Sequence, residues 1–92
     1  MPIYLVERYL PGHDRAWLET ALKPLGLRGQ GVRYLGSTYV PADDSCFCRF
    51  EAETADDVRA ANALAGVPFA RIVAAEEIGI SHRGPTKEGK PS

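Results

Sequence analysis

Four segments of the chain are dense in β-branched and aromatic residues, and the segments between them repeat apolar residues at helical spacing. The four predicted strands are Ile3 to Leu10, Val32 to Val40, Ser45 to Ala52 and Ala70 to Ile78. The first alternates only loosely, as a strand that is covered on both faces would. Apolar positions recurring every three or four residues predict two helices, over about 13–23 and 54–65.

Capping and turn residues predict where these elements begin and end. Asp14 and Thr54 can accept hydrogen bonds from the first turns of the two helices, and Gly66 can close the second. Pro24 should end or kink the first helix, because it has no amide hydrogen and crowds the preceding turn. A loop should follow over Leu25 to Gly31. The second helix should turn its apolar side inward, with Val58, Ala61, Leu64 and Ala65.

The turn between the second and third strands predicts their pairing. Pro41 to Asp44 favours a tight turn, so the two strands should form an antiparallel hairpin. The element order is then β-α-β-β-α-β, which predicts an α+β fold of the ferredoxin-like sandwich type. Right-handed crossovers give it a four-stranded antiparallel sheet with two helices on one face.

The uncovered face of such a sheet would carry Val, Leu, Tyr and Phe side chains, which are too apolar to face water over a large area. A second copy of the chain would bury that face, so the sequence predicts a homodimer. The alternative is a monomer with a solvated sheet face.

Composition limits the classes of protein to which the chain can belong. Its 92 residues suffice for one domain, over residues 1–80, followed by a flexible tail over 81–92 that is rich in Pro and Gly. Eleven Lys and Arg against twelve Asp and Glu give a net charge of −1, which argues against nucleic acid as a partner.

The sequence shows neither the basic start of a signal peptide nor an apolar run of roughly 20 residues that could span a bilayer. We therefore expect a cytoplasmic protein with no membrane partner.

Two cysteines on the third strand are the first candidates for chemistry. Cys46 and Cys48 are two residues apart, so both point to one face of the strand, a geometry poorly suited to a disulfide. We expect free thiols. Two thiolates on one face could contribute to a soft metal site, and nickel accepts thiolate, imidazole and carboxylate donors. The alternative is that the small thiols only pack in the core.

Histidine and charged residues add further candidates. His13 lies where a loop enters the first helix and can act as a metal ligand or a base, or else be an exposed residue. Glu7 and Arg8 are adjacent on the first strand, so one of them must face inward or toward a partner if both sheet faces are covered. A buried charge must be paired or must serve a site.

Aromatic side chains could line a pocket between the sheet and the helices, or could equally be core. These candidates are Tyr4, Trp17, Tyr34 and Tyr39. No nucleophile elbow, phosphate-binding glycine loop or metalloenzyme helix motif is present in the sequence.

Scattered positions over residues 2–78 form a pattern of their own. They are Ile3 to Arg8, Pro11-Gly12, Ser37 to Val40, Asp43-Asp44, Cys48 to Ala52, Val58-Arg59 and Gly66 to Pro68. This pattern resembles a small bacterial family of unknown function that is labelled nickel-binding or nickel-responsive. The resemblance implies a ferredoxin-like, dimeric α/β barrel. It places the strand cysteine of the family and the aromatic two residues later at Cys48 and Phe50, and its Glu-Arg pair at Glu7 and Arg8.

The sequence as a whole predicts a small homodimer that binds nickel or another divalent transition metal, or a small molecule. The candidate metal ligands are Glu7, His13, Cys46 and Cys48. The alternative is a cofactor-free pocket enzyme of the monooxygenase, cyclase or isomerase type, since one scaffold hosts unrelated chemistries. A metal site would bring at least three donors together, whereas an enzyme would enclose an apolar pocket with one or two titratable groups.

Overall fold

The computed structural model describes residues 1–26 and 31–79. The elements in chain order are β1 (Ile3–Tyr9), α1 (Arg15–Ala21), α2 (Lys23–Gly26), β2 (Arg33–Val40), β3 (Ser45–Glu51), α3 (Ala55–Ala65) and β4 (Arg71–Ala75). The strands form one antiparallel sheet in the order β2-β3-β1-β4. The predicted α+β ferredoxin-like fold is confirmed, and the tail predicted over 81–92 lies outside the described residues. None of the helices within them is long and apolar enough to cross a membrane.

Both predicted helix starts are confirmed by side-chain caps. The carboxylate of Asp14 accepts a hydrogen bond from the backbone N–H of Trp17 at 2.9 Å, and the hydroxyl of Thr54 accepts one from Asp57 at 3.1 Å. Gly66 ends α3 in the left-handed region, with φ of +75°, where a residue with a side chain is disfavoured. The observed ends of α3 therefore agree with the predicted ends to within one residue.

The loop predicted over Leu25 to Gly31 is wrong at its first two residues, which belong to a helix, and residues 27–30 lie outside the described residues. Pro24 does separate two helices, since α1 ends at Ala21, but it also lies in the first turn of the short helix α2. A proline is tolerated there, because the first N–H groups of a helix have no partner within the helix. Leu25 is buried, so α2 adds an apolar side chain to the core that a loop would not have placed.

The core lies between the helices and one face of the sheet. Strand residues Val6, Cys46, Cys48 and Phe50 pack in one buried cluster with helix residues Leu18, Leu22, Leu25 and Val58. The alternate strand positions point to the opposite face, where Ile3, Leu5, Phe47 and Val73 are partly buried. Both thiols therefore lie on the face that the helices cover.

One of the four side chains of α3 that were predicted to face inward, Leu64, faces solvent instead. Leu64 is 77% exposed, whereas Asn62 is fully buried. At 3.6 residues per turn, Asn62 stands one turn after the buried Val58 and shares its side, while Leu64 falls on the far side. The buried face of α3 therefore carries a polar amide at its centre, and a buried amide needs hydrogen-bond partners.

Candidate functional site

The two cysteines form a close, buried pair of free thiols. Cys46 and Cys48 are 1% and 0% exposed, and their Sγ atoms are 3.9 Å apart. Both side chains extend from β3 toward the helices. The predictions of free thiols and of a shared face are confirmed.

A buried arginine lies against this pair. Arg8 is 2% exposed, and its Nε donates to Sγ of Cys48 at 3.4 Å. Its Nη1 donates to the carbonyls of Val67 at 3.2 Å and Pro68 at 3.3 Å, and its Nη2 donates to Oδ1 of Asn62. That amide is held in turn by a 2.8 Å hydrogen bond to the carbonyl one turn earlier in α3. Arg8 is therefore the inward-facing charge of the first strand, and its guanidinium is paired with acceptors as burial requires.

A hydroxyl contacts the same thiol from the other side. Ser37 Oγ donates to Sγ of Cys48 at 2.9 Å, and the hydroxyl of Tyr34 forms a hydrogen bond with Ser37 Oγ. Tyr34 and Ser37 are three residues apart, so a regular strand would point them to opposite faces. A β-bulge between Tyr34 and Gly36 brings both onto the covered face. Gly36 permits the bulge with φ of +134°, a conformation that is nearly restricted to glycine.

These contacts determine which of the two thiols ionises. The hydrogen bond from Cys46, together with the charge of Arg8 and the hydroxyl of Ser37, lowers the pKa of Cys48 to about 6, although burial acts in the opposite direction. The same hydrogen bond, together with burial, raises the pKa of Cys46 far above its ordinary value. At neutral pH the pair therefore holds one thiolate, at Cys48, and one protonated thiol, at Cys46.

A pH titration of thiolate absorbance in the ultraviolet checks this assignment. The wild-type protein should gain one thiolate per chain with a midpoint near pH 6, because the pKa of Cys48 is about 6. Cys48→Ser should lose this step, and Cys46→Ala should move it to higher pH, because the main hydrogen-bond donor to the thiolate is gone. A wild-type protein that forms no thiolate below about pH 8, near the ordinary value for a free cysteine, would contradict the assignment.

A cleft of about 700 Å³ reaches the thiol pair between the first two helices and the β2–β3 hairpin. Its walls are formed by Arg15, Leu18, Glu19, Leu22, Lys23, Gly26, Tyr34, Ser37, Tyr39, Pro41 and Cys46. Two of the predicted pocket aromatics, Tyr34 and Tyr39, therefore line it. The other two, Tyr4 and Trp17, pack against the core cluster instead.

The structure does not bring the four predicted metal ligands together. Glu7 lies on the opposite sheet face from the thiols, where its carboxylate accepts two hydrogen bonds from Arg71, at 3.0 and 3.1 Å. His13 stacks on Trp17 with ring centroids 3.7 Å apart. Over residues 1–26 and 31–79, no three His, Cys, Asp or Glu side chains are grouped closely enough to hold a metal ion. Of the predicted ligands, only Cys46 and Cys48 form a pair.

Two residues that contact this pair or its arginine, Asn62 and Ser37, were not predicted from the sequence. A signal for Asn62 was present, because it stands one turn after Val58 on the inward side of α3. Ser37 could not be assigned to the covered face, because the bulge at Gly36 reverses the alternation on which such an assignment rests.

Comparison with known proteins identifies the family. The model of the family described as "Nickel responsive protein SCO4226-like" matches residues 4–74. This chain belongs to the SCO4226-like family. The match spans the sheet, the helices and both thiols, so the family resemblance expected from the sequence is confirmed.

A solved member of known fold supports this placement. The crystal structure of SCO4226 from Streptomyces coelicolor A3(2) superposes on the chain with a TM-score of 0.68 at 20% identity. The match covers 86% of this chain and 98% of that one. At this identity the likeness shows that the SCO4226-like fold is shared. No curated protein sequence matches the chain.

Proposed function

We propose that this chain is a small homodimeric protein that binds a transition-metal ion through the thiols of Cys46 and Cys48. The observation that carries the proposal is the 3.9 Å separation of the two sulfurs beside a cleft. Two metal–sulfur bonds of about 2.3 Å span roughly 3.8 Å at a tetrahedral angle and roughly 4.6 Å when collinear. One ion can therefore bridge both sulfurs with little movement. The description of the family as nickel-responsive supports a metal ligand.

Nickel is the ion named in the description of the family, and the two thiols alone do not make a nickel site. Ni(II) favours tetragonal sets of nitrogen and oxygen donors, whereas the described residues offer two sulfurs and no third His, Cys, Asp or Glu beside them. The proposal is therefore limited to a metal held by the sulfur pair, and nickel is the first ion to test.

Isothermal titration with Ni²⁺ and Zn²⁺ tests the proposal on the wild-type protein and on Cys46→Ser and Cys48→Ser. Both serine variants should lose at least about tenfold in affinity for any ion that binds, because a neutral hydroxyl is a far poorer donor than a thiolate. Glu7→Gln and His13→Ala are the controls, and both should keep the wild-type affinity, because neither side chain lies with the pair. Unchanged affinity in both serine variants would rule out the thiol site.

The sheet face opposite the helices is the proposed dimer interface. Ile3, Leu5, Phe47 and Val73 point to this face and are only partly buried in one chain. These apolar side chains, which share the face with the Glu7–Arg71 ion pair, favour a two-fold self-association of a small domain. The interface would lie on the far side of the sheet from the thiol pair, so each chain would keep its own cleft.

Light scattering at micromolar concentration should give a mass of about 20 kDa, twice the 10.0 kDa of one chain. Phe47→Asp should shift the protein to monomer, because it removes the largest of these apolar side chains and adds a second carboxylate beside Glu7, which lies opposite Phe47 on β1. Leu64→Asp is the matched control on an exposed helix position and should leave the mass unchanged. A mass of one chain for the wild-type protein over this range would contradict the dimer.

A small organic molecule in the cleft is the second candidate function. The cleft volume of about 700 Å³ falls within the range of ligand pockets, roughly 300–1,000 Å³. Tyr34 and Tyr39 on its wall offer aromatic faces and hydroxyl groups to such a ligand. The comparisons give no support to the alternative of a cofactor-free pocket enzyme.

A further inference from the structure

We infer that the thiol pair selects a monovalent thiophilic ion, Cu(I), over nickel and other divalent ions. The inference rests on the proposed thiol site and names the class of ion that the site takes. It is carried by the charge and by the number of donors that surround Cys46 and Cys48.

The charge around the pair balances for a monovalent ion. Arg8 is buried, always positive, 3.4 Å from Sγ of Cys48 and opposite Cys46 on the neighbouring strand. Two thiolates and one Cu(I) carry a net charge of −1, which the guanidinium cancels. Two thiolates and a divalent ion are neutral, so the guanidinium would be left as an uncompensated buried charge, which is costly.

The remaining charges near the cleft do not change this sum. Arg15, Glu19 and Lys23 line the cleft but are exposed, and Arg15 and Glu19 are paired with each other at 3.0 Å. Solvent screens charges of this kind far more strongly than the buried guanidinium. Glu7, the acidic residue next to Arg8 in sequence, points to the opposite face of the sheet and is held by Arg71.

The number of donors points to the same ion. Soft thiolates favour Cu(I), which is satisfied by about two or three sulfur ligands, whereas zinc and nickel sites usually need about four donors. Apart from Arg8, Sγ of Cys48 receives a hydrogen bond from the hydroxyl of Ser37, which is bonded in turn to the hydroxyl of Tyr34, and both hydroxyls are neutral. Within the described residues, no third His, Cys, Asp or Glu joins the two thiols.

The cleft gives the ion a route to the pair. Cys46 forms part of its wall, so an arriving ion meets this sulfur first and Cys48 behind it. Binding forms two Cu–S bonds and releases the proton of Cys46 to solvent. Copper keeps its oxidation state throughout, so no oxidant or reductant takes part in the step.

The test compares Cu(I), buffered by a colorimetric chelator, with Ni²⁺ on the wild-type protein, Arg8→Met, Arg8→Lys and Cys46→Ser. Arg8→Met should weaken Cu(I) binding roughly tenfold or more, because the anionic copper–dithiolate loses its countercharge, and should leave Ni²⁺ binding unchanged or stronger. Arg8→Lys keeps the charge and should keep the preference for Cu(I). X-ray absorption on copper-loaded wild-type protein should show two sulfur ligands per copper, a readout that does not depend on the folding of a variant.

Weaker Cu(I) binding by Arg8→Met, with Ni²⁺ binding unchanged or stronger, supports the inference. Changes in the same direction would overturn it, as would a copper site with nitrogen or oxygen ligands in place of the two sulfurs. The proposed function fails separately: if Cys46→Ser binds both ions as the wild-type protein does, the thiols are not the metal site and the inference falls with it.

Discussion

Replacing Arg8 by Met is expected to lower the free energy of unfolding by about 3–5 kcal/mol, the usual effect of removing one partner from a buried charged network. The guanidinium of Arg8 donates hydrogen bonds to Cys48, Asn62 and the carbonyls of residues 67 and 68. Methionine fills a similar volume but donates none of them, so four acceptors, three of them buried, lose a partner at once.

Chemical denaturation of both proteins at pH 7 measures this loss. Arg59→Met is the matched control, because Arg59 lies on the exposed side of α3, and the free energy of unfolding should change by no more than about 0.5 kcal/mol. A loss of less than about 1 kcal/mol for Arg8→Met would mean that the buried arginine is not central to the stability of the fold.

Gly36→Ala is expected to cost about 1–3 kcal/mol of stability, because alanine rarely adopts a φ of +134°. The added Cβ would also lie 3.0 Å from the end of the Arg49 side chain, which is flexible and can move. Backbone strain is therefore the main effect. Relief of that strain would undo the bulge, which would turn Ser37 away from Cys48 and raise the pKa of the Cys48 thiol.

Denaturation and thiolate titration together test this second prediction. Thr38→Ala serves as the control, since Thr38 is exposed on the same strand and lies outside the bulge. It should change neither stability nor the titration midpoint appreciably. A Gly36→Ala protein of wild-type stability, with an unchanged midpoint, would show that the bulge does not position Ser37.

The fold could be predicted because its signals are local. Asp14, Thr54 and Gly66 mark helix ends through side-chain caps and a left-handed turn, and these act within a few residues. Strand periodicity likewise placed Cys46 and Cys48 on one face. The errors at Leu25 and Leu64 arose where the packing of a helix, rather than its composition, determines the outcome.

The candidate site was less predictable, because its contacts join distant parts of the chain. Arg8 pairs with Asn62 and with residues 67 and 68, and nothing in the local sequence links them. Alternation showed only that either Glu7 or Arg8 had to face inward. Glu7 was expected to join the thiols as a metal ligand, but it lies on the opposite face of the sheet. Neighbouring residues of a strand point to opposite faces, so a difference of one position separates Glu7 from the thiols.

The arrangement of Arg8, Ser37 and the two thiols costs stability that an apolar core of the same volume would not. A thiolate and a guanidinium are buried together, whereas apolar side chains of similar volume would often be at least as stable. Such a pair beside a cleft is typical of a functional site, because ionisable groups with perturbed pKa values cluster at functional sites. This is the physical ground on which the metal-binding proposal stands.

The most direct measurement is a crystal structure of the protein loaded with metal, with anomalous diffraction recorded at the absorption edge of that metal. The thiol-pair account predicts one anomalous peak per chain, between Sγ of Cys46 and Sγ of Cys48, within bonding distance of both sulfurs. A peak at His13 or Glu7, with none at the two sulfurs, would contradict it.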